Sequence, residues 1–231
     1  MQAAILAGGL GTRLGHMTQT TPKPMVLVNG KPFLEHEIGL LKRSGIGDFV
    51  LCVGHFGEKV EDYFGDGGKL GVRVTYSYDG PKLMGPAGAL KRAEPLLEDR
   101  FFVTYGDAYL RADYRMMMDV LVDSGRLGVM AVYENHGMYG KSDVVVRDGE
   151  VVRYDKGDAG RVMEWVNFGV SALSKRALSL VAPGKECGEE RFYGELIKRH
   201  ELLAFPVNDR FYEIGTPDSL RDFERFISSQ T

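Results

Sequence analysis

The chain has 231 residues, 44% of them hydrophobic, which is enough for one large α/β domain with a filled core and excludes intrinsic disorder. Its formal net charge is −3, with 29 basic residues scattered among 32 acidic ones and no basic block, so neither nucleic acid nor an anionic membrane is expected as a partner. Cys52 and Cys187 lack metal-ligand spacing and the N-terminal apolar run lasts only from Ala3 to Ala7, so a cytoplasmic protein without disulfides, targeting segment or membrane span is expected.

The first element is a strand, "AAILA", over 3 to 7. A helix follows only near Phe33, where Leu34, Ile38 and Leu41 repeat at helical spacing. Strands are then predicted at "DFVLCVG" (48 to 54), "VRVTYSY" (72 to 78), "FFVTYG" (101 to 106) and "LGVMAVY" (127 to 133). Helical patterns lie between them: Val60, Tyr63 and Phe64 in one, and Leu90, Ala93 and Leu97 after "GPAG" in another. This alternation predicts an α/β fold with a doubly wound, mostly parallel, Rossmann-like sheet. From Ser142 the texture changes: "SDVVVRDGEVVRYDKG" reads as a small β-hairpin turning at Asp148-Gly149, and "VMEWVNFGVSAL" as one or two more strands. Helices return at 189 to 201 and 217 to 228, the last with Thr216 as N-cap and Pro217 in its first turn. The chain is expected to be one domain over 1–231, its second half decorating one side of the sheet.

If the first strand ends at Ala7 and the first helix starts at Phe33, 25 residues separate them, against roughly 2 to 6 for most such connections. A loop of that size leaving the carboxyl end of a parallel strand is expected to bind a ligand. Gly8, Gly9 and Gly11 let backbone N–H groups approach an anion closely, Arg13 adds a forked charge, and Lys23 adds a point charge on backbone stiffened by Pro22 and Pro24. Together they suit a polyphosphate. Leu14 stands where a dinucleotide fingerprint needs its third glycine, and Gly30-Lys31 is followed by Pro32 instead of Ser or Thr, so neither NAD binding nor a Walker loop is supported. The five histidines form no zinc pattern and no serine sits in a Gly-x-Ser-x-Gly elbow.

"LAGGLGTRL" followed by "TPKPMVLVNGKPFLEH" resembles the sugar-1-phosphate nucleotidyltransferases, the nucleotidyl-diphosphosugar pyrophosphorylases, and later segments match in order along essentially the whole chain. The resemblance implies a glycine loop around a nucleoside triphosphate, formed by Leu6, Ala7, Gly8, Gly9, Gly11 and Thr12. It also implies that Arg13 binds the phosphates and that Lys23 sits beside the reacting ones. The first 135 residues are then mainly the nucleotide-binding half and 136–231 mainly the sugar-phosphate half.

"FFVTYGDAY" places Asp107 just past another strand end, on the same edge as the glycine loop. A carboxylate facing a triphosphate calls for a hard cation between them, and Mg²⁺ suits one or two carboxylates plus phosphate oxygens. An aspartate capping the turn is the other reading of Gly106-Asp107, and the residues alone leave both open. The resemblance implies that Asp107 is a metal ligand. It places the second ligand at Glu213 of "FYEIGTPDSL", where the family has an aspartate, so the carboxylate here reaches one methylene further. "RYDKG" resembles a segment whose acid binds sugar hydroxyls and whose lysine binds the sugar phosphate, implying Asp155 and Lys156, with Gly157 in place of the family's proline. "WVNFGV" implies a sugar contact from Asn167, with Trp165 and Phe168 as core or pocket wall. In "LMGPAGAL", Gly85 and Gly88 match a nucleotide-contacting loop in which Pro86 replaces a common threonine.

The implied reaction is Mg²⁺-dependent transfer of a nucleoside monophosphate from an NTP to a sugar 1-phosphate, with Arg13, Lys23 and Asp107 as the catalytic set. Two rivals remain: cytidylyl transfer to a non-sugar phosphate such as phosphocholine, and a catalytically inactive nucleotide-sugar sensor. "FVTYGD" and "DFVLCVGHFG" resemble cytidylyltransferases acting on glucose 1-phosphate, whereas "NGKPFLEH" resembles guanylyltransferases acting on heptose 1-phosphate, so base and sugar stay open. So does a homo-oligomeric state. The chain ends soon after its last predicted helix, and a monofunctional enzyme is expected.

Overall fold

In the computed structural model, residues 1–9, 14, 18–80, 82–138, 141–157 and 163–230 are described. The elements in chain order are β1 (Gln2–Leu6), β2 (Leu27–Val28), β3 (Lys31–Pro32), α1 (Phe33–Arg43), β4 (Asp48–Val53) and α2 (Gly57–Phe64). Then come β5 (Arg73–Tyr78), α3 (Gly85–Ala93), β6 (Arg100–Tyr105), β7 (Ala108–Tyr109), α4 (Tyr114–Ser124) and β8 (Gly128–Glu134). The remainder is β9 (Val144–Arg147), β10 (Glu150–Tyr154), β11 (Trp165–Ser174), α5 (Glu189–Lys198), β12 (Leu202–Pro206), β13 (Tyr212–Glu213) and α6 (Pro217–Ser228).

Among the described residues nine strands form one sheet in the order β5-β4-β1-β6-β11-β8-β12-β10-β9. β5, β4, β1 and β6 are mutually parallel, as are β8 and β12. β11 runs antiparallel between β6 and β8, and β10 runs antiparallel to both β12 and β9. The sheet is therefore mixed, not mostly parallel. A strand buried on both faces is a continuous apolar run whichever way it points, so β11 carries no local mark of its direction.

Helices cover both faces. On one face Leu34, Ile38, Phe64, Met117 and Leu121 pack on Phe49, Phe102 and Val129; on the other, Leu90, Ala93, Phe192 and Leu196 pack on Val50, Phe101 and Met130. The α4 helix has no counterpart in the sequence reading. It is capped by the Asp113 carboxylate, which accepts from Met116 N at 2.9 Å, and ends at Gly125 with φ +64°. The β9–β10 hairpin turns at Asp148 and Gly149, both at positive φ (50° and 78°), and it continues the edge of the main sheet. The α6 helix starts with a capping box between Thr216 and Ser219. Its Leu220 and Phe223 join Leu14, Val26, Val28, Phe33 and Tyr109 in a third cluster, with Phe223 4.8 Å from the Phe33 ring. The C-terminal helix thus anchors the long opening segment near its start and its end.

Candidate active site

The carboxyl ends of β1, β4 and β6 extend in step past the regular strands: Ala7 N donates to Cys52 O at 2.8 Å and Gly106 N to Leu6 O at 3.0 Å. Where these strands end, missing side chains let backbones close in. A Cβ on Gly54 would lie 3.0 Å from Gly8 O, and one on Gly106 would lie 3.0 Å from Pro24 Cγ. The second contact seats the Pro22-Lys23-Pro24 segment against the sheet edge. Lys23 consequently extends into the fold with 10% of its side chain exposed, and its ammonium pairs with the Asp107 carboxylate. Taking an ammonium this far from water is costly unless an anion meets it. Gly11, Thr12 and Arg13 lie outside the described residues.

Two cavities flank this ion pair. The first, about 200 Å³, is walled by Leu6, Ala7, Gly8, Gly9, Lys23, Pro24, Cys52, Asp79, Leu83, Gly85, Pro86, Tyr105 and Asp107 among others. The second, about 660 Å³, is lined by Tyr105, Asp107, Lys141, Lys156, Asn167, Phe168, Glu189, Arg210, Tyr212 and Glu213 among others. Tyr105 and Asp107 belong to both. Burial pushes the Cys52 thiol up to about 12, so it stays protonated in the wall of the first cavity and is no nucleophile.

Glu213 reaches the second cavity from β13, which pairs antiparallel with β7 so that Glu213 lies opposite Ala108. Ile214 N donates to Asp107 O at 3.2 Å, so the two carboxylate-bearing residues are neighbours across one short ladder. Gly215 N donates to Glu213 Oε2, and a Cβ at Gly215 would collide with that oxygen, so glycine leaves room for the carboxylate to take this bond.

On the opposite wall, β11 breaks register between Asn167 and Ser171, with Gly169 at φ +74°. Such an irregularity re-aims side chains. Asn167 lines the cavity while its Oδ1 accepts from Gly169 N at 2.8 Å and its own N–H donates to Asp143 Oδ1 at 2.8 Å. Burial raises the Asp143 carboxyl to about 6. Phe168 stacks between Tyr133 and Phe211, at 4.9 and 4.1 Å, forming wall as expected. Lys156 pairs with the Glu189 carboxylate, whose second oxygen accepts from the Tyr105 hydroxyl, and Lys156 N donates to Glu190 Oε1 at 2.8 Å. The phenol of Tyr105, half-buried between the two cavities, is held well above its ordinary value by desolvation and by the Glu189 carboxylate beside it.

Asp155 is not brought to either cavity: it bonds Arg153 at 2.9 Å and accepts from Gly157 N at 2.9 Å. Gly85 lines the first cavity, but its φ of +69° and a would-be Cβ 2.8 Å from Cys187 O supply a structural reason for glycine. Gly88 lies outside the lining; a Cβ there would sit 3.0 Å from Lys185 O, and Ala87 N and Gly88 N both donate to Cys187 O. Beneath the site, Glu37 of α1 is fully buried, accepts from Thr104 Oγ1 at 2.6 Å, and is held well above the carboxylate range by desolvation.

Sequence reasoning passed over Asp79, Tyr105 and Glu189. Tyr105 had a signal, being two residues before Asp107 at a strand end. Glu189 and Asp79 had none, because an isolated acid at a helix start or strand end is usually solvated.

The family model for nucleotidyl transferase matches residues 2–230. The D-glycero-alpha-D-manno-heptose 1-phosphate guanylyltransferase of Campylobacter jejuni is 30% identical over 96% of this chain and 98% of its own length. The glucose-1-phosphate cytidylyltransferase of Salmonella typhimurium is also 30% identical, over 96% and 93% respectively. Among solved structures, HddC from Yersinia pseudotuberculosis complexed with GMP-PN superposes with a TM-score of 0.81 at 25% identity, covering 98% of this chain and 99% of that one. A match over nearly the full length in both sequence and fold leads to one conclusion: the chain belongs to the nucleotidyl transferase family, among the sugar-1-phosphate nucleotidyltransferases.

Proposed function

We propose that the chain transfers a nucleoside monophosphate from an NTP to a sugar 1-phosphate with release of pyrophosphate, the NTP occupying the first cavity and the sugar phosphate the second. The carrying observation is that the two cavities share Asp107, and that Asp107 is paired with the buried ammonium of Lys23. A nucleotidyl group transferred from a donor in one pocket to an acceptor in the other has to react at their common wall.

In the step itself an oxygen of the sugar phosphate bonds to the α-phosphorus while the bond to the pyrophosphate oxygen breaks. The nucleophile is already anionic, so no proton has to be removed. The barrier is the approach of two multiply charged anions, which preorganised cations lower. Lys23 exchanges its carboxylate partner for a phosphate oxygen and offsets charge at the α-phosphorus. Lys156, oriented by Glu189, holds the acceptor phosphate, and Asn167 meets the sugar. Arg13, by its place in the motif, holds the departing pyrophosphate.

Asp107, immediately before β7, and Glu213, on the β13 strand paired with β7, are neighbouring hard oxygen donors, and among the described residues no three His, Cys, Asp or Glu side chains converge into a protein-only cage. Two carboxylates completed by phosphate oxygens and water is the pattern suited to Mg²⁺. These two residues would hold the ion, which when bound supplies further neutralisation of the phosphates.

Relatives named for guanylyl and cytidylyl transfer both support nucleotidyl transfer, and they differ in base and sugar. The test is a matrix of NTPs against sugar 1-phosphates and phosphocholine, read by pyrophosphate release with Mg²⁺ and again with EDTA. Release with at least one NTP and sugar phosphate, abolished by EDTA, is the expected outcome. Turnover confined to phosphocholine, or none with any pair, overturns the proposal.

A further inference from the structure

The first cavity runs across the sheet from the end of β6 to the end of β5, with walls from Tyr105 on β6, Leu6 on β1 and Cys52 on β4. Asp79 stands immediately past β5, and three inter-strand spacings, about 14 Å, separate β5 from β6. The cavity therefore has two polar ends: the Lys23–Asp107 pair at one and a single carboxylate at the other, with apolar or backbone surface between.

Asp79 is 6% exposed and its N–H donates to Val53 O at 2.9 Å, yet among the described residues its carboxylate accepts one hydrogen bond, a long one, from Met84 N to Oδ2 at 3.3 Å. Gly8 has no side chain, and a Cβ there would lie 3.4 Å from Oδ2, so the carboxylate edge stays open toward the glycine loop. Burial raises its pKa; the Met84 amide and the positive charge of Arg92 oppose that rise. A carboxylate has room for about four donors, and leaving it buried with one weak partner is costly unless a ligand supplies the rest.

Which nucleobase can do so follows from the edges. Guanine presents two adjacent donors, N1–H and the 2-amino group, spaced for the two oxygens of one carboxylate. Cytosine and adenine set an acceptor ring nitrogen beside their amino group. Uracil and thymine flank a single N–H with two carbonyl oxygens. All four of those bases bring a lone pair toward an anion. We infer that Asp79 is the base-reading residue of the first cavity and that the nucleotide it selects is GTP. This rests on the nucleotidyl transfer proposed above and specifies its donor.

The test compares GTP, ITP, CTP, ATP, UTP and dTTP with the intact chain and a sugar phosphate that supports turnover. GTP should be preferred, and ITP, which lacks only the 2-amino group, should show kcat/KM about 10- to 100-fold lower, the usual effect of removing one hydrogen bond to a buried charge. In Asp79→Asn the GTP:ITP ratio should collapse to within about threefold, since the second acceptor oxygen is gone. Preference for any other NTP, or a GTP:ITP ratio unchanged in a folded Asp79→Asn variant, overturns the inference. Should that variant not fold, the ratio in the unmodified chain decides alone. If no pair supports turnover, so that the transfer reading itself fails, calorimetric binding of GDP against IDP and CDP still separates the two: GDP tighter by tenfold or more sustains the base assignment, and equal affinity ends it.

Discussion

The two cavities are built by different means. The first lies on the ends of the parallel strands β5, β4, β1 and β6, and its shape comes from backbones that approach because Gly8, Gly54 and Gly106 lack side chains. The second is assembled from antiparallel pieces, β11 with its register break and the β7–β13 ladder, and its character comes from side-chain networks such as Tyr105–Glu189–Lys156 and Asn167–Asp143. A backbone-defined pocket suits the phosphates and sugar that all NTPs share, and leaves the choice of base to one side chain, Asp79, at its far end. A side-chain-defined pocket can be rewritten residue by residue, as acceptor specificity requires.

The sharpest break is at the shared wall. Lys23→Ala and Asp107→Ala should each lower kcat by about 100-fold or more, the usual scale for lost preorganised charge at a reacting centre, measured by pyrophosphate release. A loss confined to the KM of one substrate would show that the wall belongs to one cavity only.

A smaller effect should separate the cavities. Glu189 orients Lys156 and accepts from Tyr105, so Glu189→Gln, which removes the negative charge paired with Lys156 and keeps an acceptor, should raise the KM for the sugar phosphate by roughly 5- to 10-fold. The KM for the NTP should not move. Equal changes in both would mean that the network acts on the fold as a whole.

The smallest expected effect on catalysis concerns Glu37, behind both cavities. Burial raises the pKa of its carboxyl, so at pH values between the unfolded pKa of about 4.3 and the folded one the folded state holds a proton that the unfolded state has released. Stability is then present in full below the unfolded pKa and declines as pH rises toward the folded one. Glu37→Gln, uncharged at every pH, should gain on the intact chain from about pH 4.5 upward, by at most about 1.4 kcal/mol per pH unit, in urea unfolding. Both KM values should stay within about twofold, the range of a nearly isosteric change. No widening of the stability gap with pH would show that Glu37 is ionised in place.

The residues with a strong local signature were legible. The glycines after β1, the proline-flanked Lys23 and the strand-end Asp107 could be placed on one edge because parallel strands put their carboxyl ends together. The Asp148-Gly149 turn and the Thr216 cap depend on four to six consecutive residues, and both form as read. Gly88 was attributed to the nucleotide, whereas packing on the 185–188 segment explains it, a contact between residues about a hundred positions apart. The α4 helix was passed over because its run of three methionines, 116 to 118, obscures the spacing that its cap at Asp113 would otherwise announce.

By itself the sequence determined the family motif, the alternation of strands and helices, and the charged residues available for phosphate chemistry, all properties of short spacings and strand ends. Only the tertiary structure decided that β11 enters the middle of the sheet antiparallel, that Asp155 turns away while Glu189 faces the cavity, and that Asp79 stands at the far end of the first pocket. Those outcomes depend on which strands become neighbours and in what register. Apolar runs of similar composition do not encode that choice locally; it is settled by how the whole set of faces is buried at once.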